Sequence, residues 1–252
     1  MNDRVLAALE GGVLTATLNR PDKKNAIDTP MIDALLAVLE RADLDAAVHV
    51  VAVRGAGGDF CAGMDLNELL ASADKGVEEN RQAALHFADI FVRMRRLPKP
   101  IVAVVQGRAL AGGCGLATAC DVVLATESAK FGYPEVQRGF VPAIVMTLLK
   151  RAAGEKVAFD LAITGRILGG SEAAALGLVS RVFEDSDFED QVGKVLRALA
   201  AASASALALT KQQFYQLDGL RFEDGIRLGA DVNAVSRTTP DFRAALQAFL
   251  NK

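Results

Sequence analysis

Apolar positions along this chain fall into two spacings, and the spacings divide it into elements. Residues 13–19 read as a β-rich stretch that breaks at Arg20-Pro21-Asp22, a strand followed by a loop. Residues 48–53 and 101–105 are nearly continuous apolar runs, ending in Arg54-Gly55-Ala56-Gly57-Gly58 and Gln106-Gly107. Short runs of this kind predict strands buried on both faces. Elsewhere the period is helical. Thr29 is the expected N-cap of a helix with Pro30 at its first position, and Ile32, Leu35, Leu36 and Leu39 form its apolar face to about residue 41. Residues 78–96 predict an amphipathic helix stopped by Leu97-Pro98-Lys99-Pro100, and 113–119 a short helix before a strand at 121–125. From residue 155 helical signals dominate, at 155–164, 171–176, 188–202, 222–236 and 239–250, with one short strand at 179–183. The Ala/Ser-rich stretch 198–208 has a leucine spacing suited to close helix packing. The pattern predicts an α/β core over residues 1–190 and a helical segment over 191–252.

Composition narrows the class. At 252 residues the chain suits one main fold with an appendage. With 51% apolar residues, 23% charged and a net charge of −3, disorder and a nucleic-acid surface built on bulk charge are both excluded. No run approaches the ~20 apolar residues of a membrane span. Met1-Asn2-Asp3-Arg4 is followed by no signal-peptide pattern, so a soluble cytoplasmic protein is expected. Cys61, Cys114 and Cys120 are odd in number and form no CxxC pair, which predicts reduced, buried thiols and neither a disulfide framework nor a zinc site.

Candidate chemistry starts from what is missing: no GxxxxGK[ST], GxSxG or HExxH occurs, and Gly55-Ala56-Gly57-Gly58 lacks the third glycine of a dinucleotide fingerprint. His49 and His86 read as structural or surface residues. Two glycine loops remain, Phe60-Cys61-Ala62-Gly63-Met64-Asp65-Leu66 and Leu110-Ala111-Gly112-Gly113-Cys114-Gly115, followed by Phe131-Gly132-Tyr133-Pro134-Glu135. Gly112-Gly113 alone reads as a tight turn. Placed after a buried strand and before a helix, however, it leaves the first N–H groups of that helix free to meet an anion. The loop at 61–65 has the same setting, with Asp65 a possible N-cap. Glu135 reads either as an exposed loop acid or, if partly buried, as an acid/base with a raised pKa.

These residues carry a resemblance. The ordered set Arg20-Pro21-Asp22-Lys23-Lys24-Asn25-Ala26-Ile27, Phe60 to Leu66, Pro100 to Gly107, Gly112 to Asp121, Phe131 to Glu135, Leu161 to Arg166 and Ala173 to Val179 resembles the crotonase superfamily, the enoyl-CoA hydratase/isomerase family, over nearly the whole chain. The resemblance implies a spiral of ββα repeats with a helical C-terminal region that builds trimers, often paired into hexamers. It implies that the Met64 and Gly112 N–H groups form an oxyanion hole for an acyl-CoA thioester carbonyl. Ala26, Ala62, Asp65 and Leu66 would line the CoA and pantetheine path, with Lys23 or Lys24 near the nucleotide phosphates. No metal, flavin or nicotinamide is required, since coenzyme A is part of the substrate. Hydratases of this family commonly use two glutamates, one matching Glu135 and one at the position held here by Gly115. The segment Glu135-Val136-Gln137-Arg138-Gly139-Phe140-Val141-Pro142-Ala143 also lacks the glycine-rich turn many of them have, and with Gly113-Cys114-Gly115-Leu116 looks like some methylglutaconyl-CoA-type hydratases. The leading reading is therefore hydration or dehydration of a 2-enoyl-CoA by a single glutamate. Double-bond isomerisation by the same Glu135 is second, and a non-catalytic acyl-CoA-binding protein third. Arg138 and Arg166 are candidate partners for a substrate carboxylate, set against plain surface solvation.

Overall fold

The computed structural model describes residues 3–251, so the Met1-Asn2 start and Lys252 lie outside the described residues. In chain order the elements are β1 (Val5–Glu10), β2 (Val13–Leu18), α1 (Thr29–Leu44), β3 (Val50–Gly55), α2 (Leu66–Ser72), α3 (Val77–Arg96), β4 (Ile101–Val105), β5 (Arg108–Leu110), α4 (Gly112–Ala119), β6 (Val122–Thr126) and β7 (Lys130–Gly132). They continue with α5 (Ala143–Thr164), β8 (Ile167–Gly169), α6 (Gly170–Ala175), β9 (Arg181–Phe183), α7 (Phe188–Ala200), α8 (Ala204–Gln216), α9 (Phe222–Ser236) and α10 (Pro240–Leu250). A six-stranded sheet has the order β1-β2-β3-β4-β6-β9, parallel except for the β1–β2 hairpin. A small second sheet has the order β5-β7-β8.

The chain alternates between these layers. β4 lies in the large sheet, β5 in the small one, and α4 returns; β6, β7 and a 3-10 turn at Pro134–Arg138 leading to α5 repeat the step. This is the ββα spiral. The two apolar runs form β3 and β4 at its centre, and their alternate side chains divide between two cores. Val51, Val53, Ile101, Ala103 and Val105 face one core with Leu35, Ile90 and Met94, while Val50, Ala52, Val102 and Val104 pack with Phe188 and Val192 of α7. A strand covered on both sides has no solvent face, which is why its sequence is apolar throughout rather than alternating.

Several boundaries shift for local reasons. Asp28, not Thr29, caps α1: its carboxylate accepts the Met31 N–H at 3.0 Å, which places Thr29 in the first turn, and the helix runs on to Leu44. The helix expected at 155–164 is the second half of α5, which begins at Ala143 and breaks at Gly154 (φ 75°, ψ 170°). The boundary expected at residue 190 falls inside α7, whose Phe188, Val192 and Ala200 are buried on the large sheet.

Beyond α7, one buried cation fastens α8 to the core. Lys211, 7% exposed, donates to the Met94 carbonyl (2.9 Å), the Lys99 carbonyl (3.0 Å) and the Asp121 carboxylate (2.7 Å), and the Tyr215 hydroxyl donates to the other Asp121 oxygen at 2.6 Å. Removing a single partner from such a buried pair leaves the rest unpaired. Lys211→Met is therefore expected to lower unfolding free energy by about 3 kcal/mol in a urea titration. A loss below ~0.5 kcal/mol would mean that α8 is held by apolar packing alone.

Candidate active site

Three chain segments leave the small sheet side by side. Cys61 bridges Ala109 in parallel, and Ala109 is in turn the register partner of Phe131, so segment 60–62, β5 and β7 all run the same way. The Cys61 N–H donates to the Arg108 carbonyl (2.8 Å), the Leu110 N–H to the Cys61 carbonyl (2.9 Å) and the Ala111 N–H to the Gly132 carbonyl (2.8 Å). Just past their C-terminal ends stand Met64, Gly112 and Glu135. The ends of parallel strands are where open α/β sheets present ligand sites.

Met64 and Gly112 each keep a free N–H, for different reasons. Parallel pairing with Ile27 uses the Gly63 carbonyl (2.8 Å) and the Asp65 N–H (2.8 Å) and passes over the Met64 N–H between them. Gly112 is the first residue of α4, whose initial N–H groups have no carbonyl a turn earlier to receive them. Neither N–H donates to any group among the described residues. The loops also touch: a Cβ built on Gly63 (φ +97°) would lie 2.8 Å from the Ala111 Cβ and 3.3 Å from the Gly112 nitrogen, so only glycine fits there. Ala111 itself has φ +51°, ψ −127°, a conformation that costs a non-glycine residue about 1–3 kcal/mol and turns the chain sharply into α4. On the opposite side of Gly112, Phe87 Cζ and Met64 Cγ stand 3.3 and 3.7 Å from where its Cβ would be, forming an apolar wall.

Glu135 is buried at 7% exposure in the 3-10 turn after β7, and its Oε2 is a fully buried oxygen without a hydrogen-bond partner. Burial pushes its pKa up from the usual 4.5; its own backbone N–H and the Arg138 charge oppose this only in part. The exposed-acid reading is thus replaced by a desolvated one. An orphaned, buried carboxylate oxygen is a poor way to stabilise a fold and a good way to move a proton.

The residues assigned to the CoA path lie along the 62–66 loop. The Ala62 N–H donates to the Lys24 carbonyl (2.9 Å), Ala26 is half-buried, and Lys23, Lys24 and Leu66 are exposed. Asp65 has a different job. It caps α2 by accepting the Asn67 N–H (2.9 Å) and pairs with Arg20 (2.8 Å); burial alone would push its pKa up, but these partners outweigh it and hold the carboxyl below the usual range. Arg20 also pairs with Asp28 (3.3 Å) and donates to the Ala26 carbonyl (2.7 Å), while Asn25, fully buried, receives the Arg20 N–H and donates to the Ala56 and Asp59 carbonyls. Arg20 and Asn25 therefore shape this loop, roles their sequence context does not announce. Arg166 is taken by Asp160 (2.8 Å) and Glu172 (2.6 Å), whereas Arg138 is exposed. His49 contacts the Ala200 carbonyl and His86 pairs with Asp33. All three cysteines are free and buried.

The family model for enoyl-CoA hydratase/isomerase matches residues 8–252. The chain belongs to that family. It is 40% identical over 243 residues, 96% of each chain, to a Thermus thermophilus protein with a provisional enoyl-CoA hydratase name. It is 31% identical to the Escherichia coli 1,2-epoxyphenylacetyl-CoA isomerase, over 100% of this chain and 97% of that one. The crystal structure of a Mycobacterium smegmatis enoyl-CoA hydratase superposes with a TM-score of 0.94 at 30% identity, over 98% of this chain and 96% of that one. Proteins named as hydratases and one named as an isomerase thus stand among its relatives, and the protein is an enzyme of this family.

Gly115 shows why the second glutamate is missing. A Cβ there would lie 2.1 Å from Cγ1 and 2.6 Å from Cβ of Val145, itself buried at 3% exposure, because α4 and α5 pack directly across this glycine. Gly115→Glu is expected to lower stability by about 1–3 kcal/mol through overpacking without raising turnover. An unchanged melting temperature with faster hydration would show that α5 yields to the side chain.

Proposed function

We propose that the enzyme hydrates a 2-enoyl-CoA, and catalyses the reverse dehydration, with Glu135 as the sole acid/base and the Met64 and Gly112 N–H groups holding the thioester oxygen. The observation that carries this reading is the buried, unpartnered Glu135 Oε2 at the end of the strand paired with the one that leads to Gly112. As water oxygen bonds to C3, negative charge moves onto the thioester oxygen, where two fixed N–H donors stabilise it; losing one such donor costs about 3 kcal/mol. Glu135 takes the proton that water releases and returns it to C2, so one carboxylate balances the reaction. Its raised pKa brings the protonated form closer to neutrality, which eases that return. Isomerisation is the second reading: Glu135 removes a proton from one carbon and restores it two carbons away. The absence of a second carboxylate at Gly115 favours it. Pure acyl-CoA binding is the third, and the cost of keeping Glu135 buried and unpaired argues against it.

The same proposal gives Ala26, Ala62 and Leu66 the pantetheine path and Lys23 or Lys24 the CoA phosphates, and calls on no other cofactor. The Asp65 carboxylate, held by Arg20 and Asn67, borders that path by fixing the loop. Three free thiols fit a reducing compartment such as the cytoplasm. No single helix among the described residues is long and apolar enough to cross a membrane. Phe214, Phe222, Ile226 and Phe249 on α8–α10 are 66%, 79%, 61% and 74% exposed, a face that supports a homotrimer or a hexamer of two trimers. Sedimentation should give three or six copies; a monomer at micromolar concentration would remove this part of the proposal.

With trans-2-enoyl-CoA in heavy water, the wild type should gain a full water, and Glu135→Gln should lose at least about 100-fold in turnover. Deuterium uptake without added water would transfer the site to the isomerase reading, and full turnover in Glu135→Gln would remove Glu135 from both. The acid limb of kcat/KM should lie above the range of an ordinary glutamate. Stability has the matching sign: with its folded pKa raised, Glu135 favours folding at low pH and opposes it as pH rises through that pKa. Glu135→Gln should therefore gain more in melting temperature at pH 8 than at pH 4.

A further inference from the structure

Behind the helix that starts at Gly112 lies a buried polar cluster that the reaction does not use. Tyr133, fully buried, places its hydroxyl 2.9 Å from Thr118 Oγ1, which in turn donates to the Cys114 carbonyl at 2.8 Å. Burial holds the phenol protonated and pushes the Cys114 thiol up to about 11, so both are neutral hydrogen-bonding groups near neutral pH. The position of these bonds matters more than their number. Tyr133 sits two residues before Glu135, and Thr118 sits six residues after Gly112 on α4. On the sheet side the same two segments are joined through the main chain, by the β5–β7 pairing and by the Ala111 N–H, which donates to the Gly132 carbonyl.

We propose that the Tyr133–Thr118 hydrogen bond is a positioning device that sets the Glu135 carboxylate against the Gly112 N–H. The β5–β7 pairing ends at Gly132; past it the turn carrying Glu135 is tied to the end of α5 by Gln137, which donates to the Gly165 carbonyl at 3.1 Å, and to α4, the helix that opens at Gly112, through Tyr133 and Thr118. Proton transfer to or from the α-carbon requires the base and the oxyanion donor to be placed to a fraction of an ångström, whereas acyl-CoA binding is spread over the whole 62–66 loop and does not. Neither Tyr133 nor Thr118 is given contact with substrate. This inference rests on the assignment of Glu135 as acid/base, and the test separates the two.

Tyr133→Phe and Thr118→Val remove the bond with little change of shape, and Thr118→Ser keeps it. In the full-length enzyme with trans-2-enoyl-CoA, both Phe and Val variants are expected to lose about tenfold in kcat with KM within twofold. The double variant should be no slower than the worse single one, because both remove the same bond, and Thr118→Ser should retain wild-type kcat. The proposal is overturned by kcat within twofold of wild type in Tyr133→Phe or in Thr118→Val, by losses that multiply in the double variant, or by KM rising in step with the fall in kcat. If one single variant does not fold, the other still decides. Glu135→Gln run alongside distinguishes the failures: an inactive Glu135→Gln with an unaffected Tyr133→Phe overturns only the positioning role, while an active Glu135→Gln overturns both assignments.

Discussion

The parallel register of segment 60–62, β5 and β7 is the constraint on which the rest of the structure depends. Three short, adjacent pieces of backbone end together, and each delivers one of the proposed working groups at its exit: Met64, Gly112 and Glu135. Hydrogen bonds across two lanes fix their relative positions without requiring any side chain to be long. A one-residue slip between β5 and β7 would move Glu135 along the site and reverse the faces of Ala109 and Phe131, both fully buried. Core packing therefore enforces the register that the chemistry needs. The large sheet serves mainly to hold this small one, since each of its central strands feeds one of the three lanes.

Function is placed where the fold tolerates cost. Ala111 keeps a left-handed φ that glycine would adopt more cheaply, Lys24 and Asn25 do so consecutively, and Glu135 is desolvated with one oxygen unpaired. Each is held by several neighbours. The Asn25 amide bonds three main-chain groups, and Arg20 binds Asp28, Asp65 and the Ala26 carbonyl at once, so the loop that presents the Met64 N–H is set by buried polar contacts. Such networks are rigid only when every member is satisfied, and here the unsatisfied group is the one to which the proposed reaction gives the proton.

Much of this was legible in the chain because burial on two sides writes a strong signal. β3 and β4 are apolar at every core position, and the glycines that follow them mark the loops of the site. β5, β7 and β8, at three residues each, are too short for a period of two to register, and β1, with five of its six residues outside the core, has no apolar face to show. The first half of α5 starts after Pro142 with no side-chain cap, and α8 lies in an Ala/Ser-rich stretch whose one buried side chain is a lysine. The glycines and Glu135 could be picked out as chemistry from the residues themselves; the Met64 N–H came only with the resemblance, because its freedom follows from pairing with Ile27, 37 positions earlier in the chain.

Gly115 connects sequence, packing and chemistry most directly. In a site with two carboxylates, water activation and proton return can be divided between them; here α4 and α5 close to contact at that position, and Val145 fills the volume a second side chain would need. The missing acid is thus a packing choice that involves both helices. In the proposed reaction that leaves the proton with one carboxylate, while Val145 packs against Gly115 and Phe87 against Gly112 of the same helix. Burial raises the Glu135 pKa, and a carboxyl so shifted is suited to serve as both proton donor and acceptor in the proposed reaction.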